Sequence, residues 1–322
     1  MDTKHEPRTL VEAIRHFADP DVALNTMVSL RWPSGVCCPT CGRVDVRFIK
    51  TRRLWECKEV HEKKQFSAKV GTIFEDSPLS LDKWFVAIWM VANCKNGVSS
   101  YELHRALGVT QKSAWFMLHR VRLAMQAGSL MKAEGDVEAD ETFIGGKAKN
   151  MHKDRREKKI TGTGGAGKAI VMGILERDGT EEGTSRVRAR VIESTRKAVL
   201  HEEIKSVVAK GSKLYTDTAG GYHGLTKDYQ HEVVDHAVEY VRGQVHTNGL
   251  ENFWSLLKRS LNGTYVSVEP FHLFRYLDEQ VFRFNARATN DYRRFSAVLS
   301  WVTGLRLTYN ELTGNDAPLA FT

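Results

Sequence analysis

The sequence VEADETFIGG, residues 137–146, alternates apolar and acidic residues and then runs into a pair of glycines. Alternation with a period of two is typical of a β-strand, and it places Glu138 and Asp140 on the face opposite to the apolar side chains. The glycines end the strand because they adopt turn conformations readily. The segment therefore predicts a strand with acids near its far end, and the rest of the chain is interpreted outward from it.

Two later segments each carry an acid in a comparable setting. KLYTDTAGGY (213–222) is typical of a short strand that ends at Asp217, and HTNGLENFWSLLKR (246–259) of a helix with Glu251 near its start. Carboxylates that a fold brings together repel one another and need cations, which is the composition of a Mg²⁺ site that handles phosphates. The alternative is that three acids among 39 Asp and Glu residues share no role.

The segments between these acids predict an α/β domain. AIVMGILERDG (169–179) and SRVRARVIES (185–194) alternate like the two strands of a hairpin, and a helix is predicted from Thr195 through Val208. The order of strands, helix, strands and an acid-bearing helix suits an RNase H-like layer, in which helices flank a mixed sheet. In such a layer, acids at strand ends and on a nearby helix meet at one edge of the sheet.

Basic residues accompany the acids. Lys258 and Arg259 fall on the same side of the predicted helix as Glu251. We interpret Glu251 as a metal-binding acid and the two cations as binding the adjacent phosphates; the alternative is a surface helix laced with salt bridges. Residues 147–168 are basic, rich in glycine and nearly free of apolar residues, which predicts a mobile loop that grips a DNA backbone.

The whole chain is long enough, at 322 residues, for two or more domains. It has 47 Lys and Arg against 39 Asp and Glu, a net charge of +8 that favours a polyanionic partner. The N-terminal sequence lacks the apolar core of a signal peptide, and the longest apolar run is about half the roughly 20 residues of a membrane span. We therefore expect a cytoplasmic protein with no membrane partner and with reduced cysteines.

Four of the five cysteines lie close together near the N-terminus. CPTCG (38–42) places two thiols around a tight turn, and CKEVH (57–61) follows after the length of a hairpin. This spacing predicts a zinc ribbon with a Cys₃His ligand set. The predicted ligands are Cys38, Cys41, Cys57 and His61, with Cys37 a bystander. The alternative is a turn of reduced thiols without metal.

The segment GVSSYELHRALGVTQKSAWFMLHRVRLAM (97–125) predicts two helices joined by a turn at Gly108, with Ser99 or Ser100 and Thr110 as caps. This is the shape of a helix-turn-helix, whose second helix can lie in the major groove of DNA. The alternative is an ordinary helical hairpin. The residues predicted to face DNA are Gln111, Lys112 and Ser113, with Trp115 and His119 as further candidates.

Several stretches resemble one known family. CPTCG and the run from Cys57 to Trp84 resemble the zinc-ribbon head of the IS1595-type (ISXO2-like) DDE transposases of bacterial insertion sequences. VEADETFIGGK, LYTDTAGGY, HTNGLENFWSLLKRSLNGTY and FRYLDEQVFRFNAR resemble the catalytic domain of that family. These motifs occur in the same order in this chain, from about residue 22 to about residue 287.

The resemblance implies a DDE transposase whose catalytic acids are Asp140, Asp217 and Glu251. Only the resemblance, not the spacing, selects Asp140 among its acidic neighbours. The acids would bind Mg²⁺ or Mn²⁺, and the zinc would be structural. The expected partners are double-stranded DNA, namely the terminal inverted repeats and the target, and a second copy of the chain on that DNA. The expected location is the nucleoid in the cytoplasm of a bacterium.

Five segments are expected along the chain. They are an N-terminal helical segment (1–30), a zinc ribbon (31–78), a helix-turn-helix-like DNA-binding region (79–131), an RNase H-like DDE catalytic domain (132–287) and a C-terminal helical tail (288–322). Two other functions stay open: an RNase H-like DNA nuclease or resolvase that cuts without strand transfer, and a domesticated transposase-derived DNA-binding regulator.

Overall fold

The computed structural model describes residues 6–126, 132–145, 167–178, 183–218, 220–234 and 246–314. The chain divides into two compact units, one of residues 1–127 with 289–322 and the other of residues 128–288. None of the described helices has the length and apolar character that crossing a membrane requires.

The first unit begins with two helices, continues through a small sheet and then returns to helices. Its elements are α1 (Leu10–Phe17), α2 (Pro20–Arg31), β1 (Val46–Ile49), β2 (Leu54–Cys57), β3 (Gln65–Phe66), α3 (Leu81–Asn93), α4 (Ser100–Leu107) and α5 (Gln111–Met125). The strands form an antiparallel sheet in the order β1-β2-β3. The segment between Cys41 and Cys57, which has the length of a hairpin, therefore contains the β1–β2 hairpin.

The second unit is a mixed sheet with flanking helices. Its elements are β4 (Asp136–Ile144), β5 (Ala169–Glu176), β6 (Arg186–Ile192), α6 (Lys197–Val207), β7 (Lys213–Asp217), β8 (Gln230–Val234), α7 (Asn248–Ser260) and α8 (Leu273–Asn285). The strand order is β6-β5-β4-β7-β8. Strands β4, β5 and β6 pair antiparallel, whereas β4, β7 and β8 pair in parallel. The predicted α/β class, the mixed sheet and the β5–β6 hairpin are confirmed.

The alternation along β4 divides the core of this unit into two layers. Val137 and Ala139 share an apolar cluster with Leu200 and Ile204 of α6. A second cluster joins other residues of the sheet, such as Leu175, to α7 and α8. Glu138 and Asp140 therefore lie on the α7 face, because successive side chains of a strand point to opposite faces.

The C-terminal helices belong to the first unit. They are α9 (Asp291–Ser300) and α10 (Tyr309–Thr313). Phe295 of α9 packs its ring against Phe17, Phe85 and Trp89, with centroid distances of 5.3, 5.7 and 5.5 Å. The guanidinium of Arg120 in α5 donates to the carbonyl of Leu307 at 3.1 Å. The C-terminal tail, predicted helical but without a role, therefore completes the core of the N-terminal unit.

Candidate active site and zinc cluster

The sheet places two of the predicted acids side by side. β4 and β7 run parallel, and Glu138 opposite Tyr215 is the last pair of their ladder. Residues two positions apart on a strand share a face. The register therefore brings Asp140 and Asp217 next to each other on the α7 face, at the carboxyl end of β7.

Helix α7 adds the third acid. Glu251 lies in the first turn of α7, and Trp254 lies one turn further along on the buried side. The indole Nε1–H of Trp254 donates a hydrogen bond to Oδ2 of Asp140 at 2.8 Å. This bond ties the start of α7 to β4, so that a helix distant in sequence carries its acid to the strand ends.

A glycine in β5 makes room for this contact. Gly173 pairs directly with Asp140 across the β4–β5 ladder. A Cβ atom at Gly173 would lie 2.7 Å from the ring of Trp254, which is closer than side-chain atoms approach one another. Sequence reasoning missed both Gly173 and the role of Trp254. The available signal was a glycine inside an apolar strand, which often marks a close approach.

The pKa of Asp140 reflects its burial and its electrostatic interaction with the other two acids. Burial raises the pKa of Asp140 to about 6, and the charges of Asp217 and Glu251 raise it as well, whereas the hydrogen bond from Trp254 lowers it. Among the described residues, the carboxylate oxygens of these three acids do not all lie within 4.8 Å of one another. Such a group of acids gains affinity for a cation, because a cation relieves both the repulsion and the burial of charge.

The acidic neighbours of Asp140 have other contacts. Glu138 is only 1% exposed and forms a 2.9 Å ion pair with Arg177. Glu141 accepts a hydrogen bond from the hydroxyl of Tyr222, and burial raises its pKa. Asp136 lies at the opposite end of β4. The charge of Asp217 acts on both Asp140 and Glu141, and of these two acids Asp140 lies on the α7 face.

Lys258 and Arg259 are exposed on α7, in its last turn. Within the described part of the chain, neither forms an ion pair with an acid. The basic segment 147–168 lies outside the described residues except for its last two positions. The two exposed cations of α7 therefore remain available to an anionic ligand.

The predicted zinc ligands meet in the first unit. The ligand atoms of Cys38, Cys41, Cys57 and His61 all lie within 4.8 Å of one another. The Sγ atoms of Cys41 and Cys57 are 3.6 Å apart, and Cys38 Sγ lies 3.5 Å from His61 Nε2. Tetrahedral zinc requires edges of about 3.8 Å between two sulfurs and about 3.5 Å between sulfur and nitrogen. The residues therefore fit a structural zinc ion.

The histidine is oriented as a zinc ligand should be. Nδ1 of His61 lies 2.5 Å from the carbonyl oxygen of Glu62 and donates to it. This tautomer leaves the lone pair of Nε2 facing the thiols. Burial opposes ionisation of Cys38, but the backbone N–H groups of Cys41 and Thr40 lower the pKa of that thiol to about 6. With zinc bound, these residues would supply three thiolates and a neutral imidazole, the forms in which cysteine and histidine bind the metal.

The predicted helix-turn-helix region has the expected local structure. Ser99 caps α4 with a capping box, Gly108 ends that helix at a φ of 61°, and Thr110 caps α5. At the start of α5, Gln111 donates to the hydroxyl of Ser100 at 2.8 Å, and the Ser113 hydroxyl lies 2.9 Å from that of Thr110.

The DNA-facing candidates of this region differ in exposure. Lys112 is exposed and lies 4.4 Å above the ring of Tyr309 in α10. The expectation that His119 faces outward is wrong, because its side chain is 0% exposed. The second half of α5, unlike its start, is packed into the core of the unit. Trp115, just beyond the first turn, is partly exposed, so a surface that contacts DNA would use the start of α5.

Comparison with known proteins agrees with these features. Residues 132–285 match the ISXO2-like transposase domain, and residues 19–61 match the transposase zinc-ribbon domain. The chain is also 27% identical, over 261 residues, to a protein of Halobacterium salinarum described as an uncharacterized protein in transposable element ISH50. That similarity covers 77% of this chain and 85% of the relative. The resemblance predicted from the motifs is thereby confirmed.

Proposed function

Because the chain carries an ISXO2-like transposase domain behind a transposase zinc ribbon, we propose that it is a DDE-type DNA transposase. It binds the ends of its element, cleaves phosphodiester bonds there and joins the freed 3′-OH to target DNA. The observation that supports the proposal is the environment of Asp140, which the charges of Asp217 and Glu251 reach and to which Trp254 of α7 donates a hydrogen bond. The strand order of the mixed sheet also supports an RNase H-like catalytic fold.

In this proposal the three acids hold Mg²⁺ or Mn²⁺. Carboxylate oxygens are the ligands that these hard cations prefer, and their mutual repulsion favours a cation between them. When bound, the metal activates water and stabilises the charge that develops on the phosphate during in-line attack. The chain itself aligns the acids, through the β4–β7 register and the Trp254 contact with Asp140.

In the same proposal, other residues of the chain bind the DNA. Lys258 and Arg259 are exposed on the helix that carries Glu251, which suits them to the phosphates next to the scissile bond. Gln111, Lys112 and Ser113 lie at the start of α5, which we propose enters the major groove. Since transposition pairs two DNA ends, we expect a homodimer on DNA, acting at the nucleoid in the cytoplasm.

The test is a cleavage assay on a labelled duplex that ends in the inverted repeats flanking the gene. Asp140→Asn, Asp217→Asn and Glu251→Gln should each abolish Mg²⁺-dependent cleavage while DNA binding persists. Glu232→Gln is the control, because Glu232 is an exposed acid on β8 of the same sheet. Normal cleavage by any of the three variants would remove that residue from the site.

The same assay separates the competing functions. A transposase joins the labelled end to a second duplex, whereas an RNase H-like nuclease or resolvase cuts and stops. A domesticated regulator binds the repeats and cuts nothing. Strand joining by the wild-type protein supports the proposal, and its absence under conditions of full cleavage would leave a nuclease.

A further inference from the structure

A buried acid lies next to the three proposed metal ligands without being one of them. Glu138 precedes Asp140 by two positions and is 1% exposed. Its Oε1 accepts a hydrogen bond from Nε of Arg177 at 2.9 Å, and its Oε2 accepts one from the backbone N–H of Leu250 at 3.0 Å. Both oxygens are thus occupied, as a buried charge requires.

Arg177 extends these contacts to the segment that enters α7. Its Nη2 donates to the carbonyl oxygen of His246 at 2.8 Å and lies 3.0 Å from Nδ1 of the same residue. His246 Nδ1 is itself 3.5 Å from Oε1 of Glu138. We call Glu138, Arg177 and His246 the Glu138 network. The guanidinium of Arg177 also lies 4.6 Å above the ring of Tyr215 in β7.

The Glu138 network caps helix α7. The N-cap residue Thr247 makes no side-chain hydrogen bond to the helix, which leaves the first N–H groups without that partner. The carboxylate of Glu138 takes its place at the N–H of Leu250, where a negative charge also interacts favourably with the helix dipole. A Cβ at Gly249 would lie 2.9 Å from Glu138 Oε2. The first turn of α7 therefore packs directly against this carboxylate.

The network touches each element that carries an acid, at a position one or two residues before that acid. Those pairs are Glu138 and Asp140 on β4, Tyr215 and Asp217 on β7, and Leu250 and Glu251 on α7. A shift of the network would displace all three carboxylates together.

We propose that Glu138 is a positioning residue, which sets the register of α7 so that Glu251 shares a cation with Asp140 and Asp217. It acts through Arg177 and through the N-terminus of α7. This inference rests on the proposed function, because it assumes that the three acids bind a divalent cation. Groups that orient metal ligands alter metal affinity roughly 10- to 100-fold when they are mutated.

The test measures Mn²⁺ binding to the full-length protein by electron paramagnetic resonance. The matched control is Glu279→Gln: Glu279 is also buried, at 0% exposure, and is paired with an arginine, Arg283, but lies on α8. We expect Glu138→Gln to weaken Mn²⁺ binding roughly 10- to 100-fold. Glu279→Gln should leave that affinity unchanged while unfolding at a lower urea concentration.

A second, more conservative variant tests the same role in case Glu138→Gln does not fold. Arg177→Lys keeps a cation beside Glu138 but lacks the planar fork that reaches both Glu138 and His246. It should fold and bind Mn²⁺ more weakly than the wild type. If Glu138→Gln and Arg177→Lys bind Mn²⁺ as tightly as Glu279→Gln and the wild type do, the positioning role is wrong and the proposed function stands. If the wild-type protein binds no Mn²⁺, the proposed function fails and this inference fails with it.

Discussion

Replacing Asp140 with asparagine should stabilise the metal-free protein while it abolishes cleavage. The side chain is largely buried and lies near two other acids, and these surroundings raise its pKa from 3.8 to about 6. Asparagine keeps the shape of the side chain and an oxygen that accepts from Trp254. It removes the charge, and only the charge is unfavourable in the absence of a cation.

The size and the pH dependence of the effect follow from this shift. An acid whose pKa is raised in the folded state destabilises that state when it ionises. The penalty is absent well below pH 3.8, grows as the pH rises through the interval between 3.8 and about 6, and is complete above it. A shift of about two units corresponds to about 3 kcal/mol at 1.36 kcal/mol per unit. Asp140→Asn should therefore be more stable by about that amount at pH 8.

The assay is urea unfolding at several pH values, in buffer that contains zinc but neither Mg²⁺ nor Mn²⁺. The exposed Glu232→Gln serves as the control and should show no gain. Added Mn²⁺ should stabilise the wild type and not Asp140→Asn, since only the native site binds it. A stability difference that is absent at pH 8, or that does not change between pH 5 and pH 8, would refute the reasoning.

Three further predictions concern the site, the helix that carries Glu251 and the zinc cluster. Trp254→Phe removes the N–H that lowers the pKa of Asp140, so the acid limb of the pH profile of cleavage should move to higher pH. A limb that does not move would exclude this role. Lys258→Ala should weaken DNA binding and reduce the slope of log K against log salt by about 1, measured by fluorescence anisotropy; an unchanged slope would mean that Lys258 contacts no phosphate. Cys41→Ser should release zinc and unfold the β1–β3 sheet, which metal analysis and hydrogen exchange would detect; a folded sheet without zinc would show that the metal is dispensable.

Local patterns in the sequence determined several strands, the zinc ligands and the family resemblance of this protein. Alternation predicts β4 and the β5–β6 hairpin, because the side chains of a strand point alternately to opposite faces. Spacing predicts the zinc ligands, because two cysteines separated by two residues can chelate one ion across a turn. The motifs around the three acids also carry the resemblance to transposases. Each of these signals arises from residues close together in the chain.

The tertiary structure alone decided what depends on distant contacts. The hydrogen bond from Trp254 of α7 to Asp140 of β4 joins two elements that are far apart in the sequence. The seat of α7 on Glu138 and the burial of His119 depend on packing between separate elements, as does the return of α9 to the N-terminal core. Sequence periodicity reports which face of an element is apolar. It does not report which element will cover that face, because that choice is made by packing across the whole fold.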